Sequence, residues 1–183
     1  ARLGISRTYQ NLSLFRNMTV LENVMVGRHV RTRCGILSAA LRLPRQRAEE
    51  ARVRDDARRC LDQVGLAARA EAPITALSFG QRRAVELARA LATEPRLLLL
   101  DEPASGLNTR ETAELGQLIR RIRDGGVTIL LIEHDMSLIM DIADDILVLC
   151  HGQPVAEGPP ATVRHHPEVI AIYLGGDVPS AGH

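Results

Sequence analysis

Two short, unbroken apolar runs, each ending on acidic residues, constrain this chain more than any other feature. Leu97-Leu-Leu-Leu100 runs into Asp101-Glu102-Pro103, and residues 127–132 run into Glu133-His134-Asp135. Helical patterns occupy residues 81–92 and 111–123, and Gly125-Gly126 supplies the stop and the turn into the second run. A strand that is apolar at every position is buried on both faces, and strands of that kind alternating with helices imply a parallel sheet covered on both sides. The expected fold class is α/β. Ligands of such sheets bind at the carboxyl ends of the strands, where both acidic clusters fall.

The rest of the chain has a different texture. Up to about Thr75 it reads as mainly helical: apolar residues at helical spacing follow Thr19, with Glu22 three residues on as a capping box. Residues 44–64 are dense in arginine and acids, and only Ala48, Ala51, Ala57, Leu61 and Val64 offer an apolar stripe, which predicts a helix with a solvated charged face. Beyond Asp144, residues 146–149 read as a third strand, followed by a turn at His151-Gly152-Gln153 and the run 154–157. Residues 162–174 predict two short helices broken at Pro167, and the Gly/Pro/Ser tail after Gly175 is expected to be loose.

Composition excludes several classes. Acids and bases nearly cancel to +1, with no single-sign tail that would read as a nucleic-acid arm. Cys34, Cys60 and Cys150 lie far apart and form no CxxC or Cys/His cluster, so neither a zinc site nor a disulfide framework is indicated, and a reducing compartment fits best. No apolar stretch approaches the roughly 20 residues that span a bilayer. All 23 basic residues are arginine, and there is no lysine. The flat guanidinium does not replace a compact ammonium inside a tight phosphate-binding loop.

Three short segments carry chemistry. At the end of the first apolar run, one acid can hold Mg2+ while the next polarises an attacking water; the alternative is a strand that simply ends in a turn. Leu77-Ser78-Phe79-Gly80-Gln81 leads directly into a helix, and a hydroxyl, a glycine and backbone N–H groups at a helix N-terminus make an anion site, although capping by Ser78 explains the same residues. His134, after the second apolar run, can donate to a phosphate or orient the acid, or can merely open the next helix. His165-His166 before Pro167 reads as exposed loop.

Taken in order, these segments resemble the motifs of an ATP-binding-cassette (ABC) ATPase. Residues 77–81 look like the signature motif, residues 97–102 like Walker B with its catalytic glutamate, Ser105-Gly106-Leu107-Asn108 like the D-loop and His134 like the switch histidine. Tyr9-Gln10-Asn11 falls where the Q-loop belongs. The resemblance implies a partial P-loop NTPase (RecA-like) cassette with a mainly helical subdomain. Its expected segments are 1–10 (end of the N-terminal core, with the Q-loop), 11–76 (helical subdomain), 77–158 (signature, Walker B, D-loop and switch histidine) and 159–183 (C-terminal helices and tail). The runs Arg7-Thr-Tyr-Gln-Asn-Leu-Ser-Leu-Phe15, Met18-Thr-Val-Leu-Glu-Asn-Val24, Ile132-Glu-His-Asp-Met136 and Ile172-Tyr-Leu-Gly175 are similar to the ATP-binding subunits of bacterial branched-chain amino acid importers. The urea importer and the lipopolysaccharide-export ATPase share parts of this pattern.

What the resemblance implies is specific. The cofactors are ATP and Mg2+. Two subunits, identical or different, face each other head to tail, so that Ser78, Phe79, Gly80 and Gln81 of one close over the ATP of the other, and Asn108 is a further nucleotide-binding residue. Glu102 polarises water, His134 contacts the γ-phosphate, Asp101 and Gln10 serve Mg2+, and Gln10 couples the site to the membrane permease. A periplasmic substrate-binding protein is an indirect partner, nucleic acid is none, and the location is peripheral on the cytoplasmic face of the membrane. ABC ATPases of DNA repair or of ribosomes carry a long coiled-coil insertion or a second cassette, and neither pattern is present here.

Three departures qualify this. Only nine residues precede Gln10, and without lysine no displaced G-x-x-x-x-G-K-[ST] loop exists, so the chain is expected to be an N-terminal truncation or a non-catalytic remnant. Losing about four charge-assisted hydrogen bonds removes about 6–12 kcal/mol. Micromolar binding is worth about 8 kcal/mol, so the chain as it stands is expected not to bind ATP usefully. The aromatic residue that stacks adenine would be lost with that loop, and the exposed strand edges predict a sticky product. Finally, Phe79 stands where the signature most often has Gly, and Gly106 and Asn108 where the D-loop most often has Ala and Asp.

Overall fold

The computed structural model describes residues 3–8, 13–28 and 44–173. Gln10 with Tyr9 and Asn11, Cys34 and the tail after Gly175 therefore lie outside the described residues. The chain divides into two units, Ala1–Glu133 and His134–His183.

The first unit is built on a parallel sheet in the order β1 (Ile5–Arg7), β2 (Leu97–Asp101), β3 (Thr128–Ile132). Leu98 is opposite Ser6 on one side and Ile129 on the other, and Asp101 is opposite Ile132. Strand β1, which the sequence did not announce as a strand, is three residues long. Period-two alternation sends Leu98 and Leu100 to one face, where they are 0% and 1% exposed. The other face carries Ile5, Leu97, Leu99, Leu130 and Ile132, and Leu130 and Ile132 remain 56% and 57% exposed. The expectation of a sheet covered on both sides thus holds for one face among the described residues.

Helix α1 (Val20–Arg28) starts from the expected capping box: Thr19 N–H donates to Glu22 Oε2 at 2.8 Å and Glu22 N–H to Thr19 Oγ1 at 3.2 Å. Its next orphan donors are answered from outside the helix, Val20 N–H by Ala72 O and Leu21 N–H by Ala70 O. Fully buried Asn23 donates through Nδ2 to Phe15 O and Thr19 O and accepts Phe15 N–H at 2.8 Å, which ties the preceding loop to the helix. Helix α2 (Pro44–Gln63) packs along Ala57 and Leu61, with Val64 just beyond; Ala48 and Ala51 are exposed, a narrower stripe than the sequence suggested. Arg28 fastens these elements through Asp56 at 2.5 Å and Glu94 at 2.6 Å.

Helix α3 (Phe79–Leu91) packs against α1 and α2, and inside it Arg83 meets Glu86 at 3.1 Å with both side chains buried. Burial pushes the Glu86 carboxyl up, and the Arg83 charge opposes that push. Helix α4 (Thr109–Asp124) buries Leu115, Leu118, Ile119 and Ile122, an i, i+3, i+4, i+7 stripe.

In the second unit, α5 (Met136–Ile142) precedes β4 (Ile146–Cys150) and β5 (Gln153–Gly158), which form an antiparallel hairpin with an irregularity between Val148 and Leu149. The expected third strand, 146–149, therefore does not extend the run of parallel pairings. Two proline-started helices, α6 (Pro160–Val163) and α7 (Pro167–Tyr173), complete a small core of Ile146, Val163 and Val169.

Candidate functional site

Strand β2 delivers Asp101 and Glu102, both half-buried, to the carboxyl edge of the sheet. Asp101 Oδ2 accepts a hydrogen bond from the Arg7 guanidinium of β1 at 2.8 Å. Glu102 leaves the strand with φ +45°, a left-handed conformation that costs about 1–3 kcal/mol for a residue with a side chain unless its surroundings impose it. Its N–H donates to Ile132 O at 2.9 Å, and two residues on Ala104 N–H donates to Glu133 Oε1 at 2.7 Å. The change of backbone direction at residue 102 is what separates the two acids: Asp101 stays in register with the sheet, and Glu102 turns out of it.

The signature-like residues form a second cluster. Ser78 caps α3, accepting Gln81 N–H at 3.2 Å, while Gln81 Oε1 accepts Ser78 N–H at 3.1 Å. Asn108 and Glu111 repeat the same box at the start of α4, at 3.0 and 3.2 Å. The two helix starts pack on one another through two glycines. A Cβ on Gly80 would lie 2.8 Å from Glu111 Oε1, so any larger residue there would make that carboxylate shift. Gly106 has φ +81°, and a Cβ there would sit 3.2 Å from the Phe79 ring. The two departures noted in the sequence, an aromatic residue at 79 and glycine at 106, are thus the two sides of one contact. The guanidinium carbons of Arg82 and Arg83 lie 5.9 and 5.7 Å from the Phe79 ring centre.

Ser78, Gly80 and Gln81 line a cavity of about 390 Å³ with Arg110, Glu111 and Arg121, and neither Asp101 nor Glu102 is among its lining residues. Among the described residues, that cavity gathers the signature cluster without the acid pair. Capping, the plainer reading of Ser78, is realised, and it leaves the hydroxyl proton for a further acceptor.

His134 opens the second unit and is exposed. Asp135 caps α5, accepting the Ser137 hydroxyl and the N–H groups of Ser137 and Leu138. The Ser137 hydroxyl first, then desolvation in the opposite sense, then the two amides and the His134 charge leave the Asp135 carboxyl below its ordinary range. Gln10 lies outside the described residues. No group of three or more His, Cys, Asp or Glu among the described residues is arranged to hold a metal. A lone carboxylate such as Asp101 nevertheless suits Mg2+, which is held by one or two carboxylates and takes its other ligands from water and phosphate. Sequence reasoning missed Arg7, Asn23 and Glu133. Their partners are distant or lie in the backbone; Glu133 was marked only as part of the acidic end of the second apolar run, with no role of its own.

A parallel sheet with paired acids at its carboxyl edge, together with two boxed helix starts packed on one another, defines the class. The chain belongs to the ABC transporter family, whose profile matches residues 1–105. A second profile, the branched-chain amino acid ATP-binding cassette transporter, matches residues 153–179. The chain is similar to the high-affinity branched-chain amino acid transport ATP-binding protein LivG of Escherichia coli, with 44% identity over 96% of this chain and 69% of LivG. To BraF of Pseudomonas aeruginosa, described in the same words, the identity is 43% over the same shares. Among solved structures, an ATP-binding cassette of an ABC transporter in its ADP conformation superposes with a TM-score of 0.77 at 30% identity, over 95% of this chain and 69% of that one. The cbiO1 protein of Clostridium perfringens gives 0.75 at 25% identity, with this chain spanning 65% of its length. The chain is an ATP-binding cassette with the ATPase fold of that family.

Proposed function

We propose that this chain belongs to the ATP-hydrolysing subunit of an importer of branched-chain amino acids, working as one of two cassettes that share their nucleotides. The observation that carries the reading is the separation, within one chain, of the acid pair on β2 from the α3 signature cluster. A site divided in this way is completed by a second copy or a related cassette. Ser78, Gly80 and Gln81 then present the N-terminus of α3 to the terminal phosphate held by the partner subunit, where the helix dipole and the Ser78 hydroxyl favour negative charge. Asn108, fixed at the start of α4, stands beside that cluster.

Within its own nucleotide site, Glu102 orients and polarises the attacking water, and His134 donates to the γ-phosphate. Asp101, released from Arg7, would hold Mg2+, which supplies neutralising charge at the phosphates. Gln10 reports the state of the site to the membrane permease. The unit sits peripherally on the cytoplasmic face, and no helix among the described residues is long and apolar enough to cross a membrane. A periplasmic binding protein hands the amino acid to the permease and touches this subunit only through it.

Glu102→Gln in the full-length protein tests the assignment. It is expected to lower ATP turnover at least about a hundredfold while ATP-driven pairing of cassettes, read by gel filtration, persists. Turnover that survives the substitution removes Glu102 from its role.

A further inference from the structure

We propose that Glu133 is a positioning residue for ATP hydrolysis, its carboxylate holding the loop that carries Glu102; this rests on the reading of Glu102 as the group that polarises water. Glu102 has φ +45° although nothing in its residue type favours that region. The conformation must be imposed from outside the residue, and the end of β3 imposes it twice. Glu102 N–H donates to Ile132 O at 2.9 Å, and Ala104 N–H donates to Glu133 Oε1 at 2.7 Å. Pro103 between them has no N–H. Every amide of the segment 102–104 is thus taken by Ile132, the last residue of β3, and by Glu133 just beyond it. Ser105 N–H then donates back to Glu102 O at 3.1 Å, closing the turn.

The Glu133 bond is charge-assisted and short, and its donor belongs to a residue only 9% exposed, so its loss leaves a buried amide that the loop must move to satisfy. Any movement at Ala104 is passed to Glu102 through one rigid proline. Glu133 touches no reacting atom in this scheme. It decides where Glu102 points, and an amide oxygen in the same place keeps the acceptor, though with a weaker bond.

The test compares kcat and KM for ATP of the full-length protein with those of Glu133→Ala and Glu133→Gln. Misplacing a catalytic group by about an ångström costs about a hundredfold, so Glu133→Ala is expected to lower kcat on that order with KM within about threefold of the parent. Glu133→Gln, which keeps the acceptor, is expected to stay within about threefold of the parent in both constants. Unchanged kcat in Glu133→Ala, or Glu133→Gln falling as far as Glu133→Ala, overturns the proposal. If Glu102→Gln itself leaves turnover intact, the underlying functional reading fails, and amide hydrogen exchange at Ala104 in the 183-residue chain decides the loop-holding role separately. Exchange about tenfold faster in Glu133→Ala and unchanged in Glu133→Gln upholds it; equal rates in all three overturn it.

Discussion

Phe79 and Gly106 illustrate what a single residue can and cannot reveal. Each is visible in the sequence as a departure from the family's commonest motif, and nothing in the sequence joins them. In the structure the ring of one occupies the space that a side chain on the other would need. Gly106→Ala is expected to cost about 2 kcal/mol, about 1 kcal/mol from the left-handed backbone and the rest from the clash. Pairing it with Phe79→Gly should recover the clash portion alone, as measured by urea unfolding of the four variants in a double-mutant cycle. Strictly additive losses would mean that the contact carries no energy. Arg7, Asn23 and Glu133 were illegible for a related reason. Arg7 meets Asp101 across 94 positions and Glu133 meets Ala104 across 29, and no periodicity encodes such meetings. Asn23 does bond locally, at eight positions or fewer, but to backbone groups that any sequence possesses.

Elements were legible where their signals are local. The capping box at Thr19 and the cap at Ser78 stand in the expected places, because a cap needs only residues within one turn. Strands β2 and β3 were legible from their unbroken apolar runs. Strand β1 was not, since three residues are too few to carry a period, and the antiparallel pairing of β4 with β5 depends on partners rather than on the composition of either strand. The cap of α5 adds a pH dependence at this scale. Asp135 is held below its ordinary range by bonds to its charged form, so the unfolded chain takes up its proton first. The stabilisation is present above about pH 4, the ordinary carboxylate range, and is lost as pH falls through the lower folded value. Carbon chemical shifts of residues 136–142 should move toward coil values on acidification below about pH 4, and Asp135→Asn should flatten that change. Helical shifts that hold to the lowest pH in the parent would contradict the cap.

For the molecule as a whole, the α/β class and the sheet-edge location of Asp101 and Glu102 were read correctly, because alternation of helices with apolar strands is a property of the whole chain. Coverage of the sheet is met on one face among the described residues, since it depends on which segments meet the second face. That face, with Ile5 41%, Leu130 56% and Ile132 57% exposed, predicts self-association of the 183-residue chain at rising concentration. Static light scattering should report growing mass, and Leu130→Glu combined with Ile132→Glu should suppress it; a monodisperse parent that melts cooperatively would refute the expectation. The open face also gives handling of this chain an unusual temperature sense. Water's drive to hide hydrocarbon fades on cooling, so its clusters should come apart on ice and gather again on the bench.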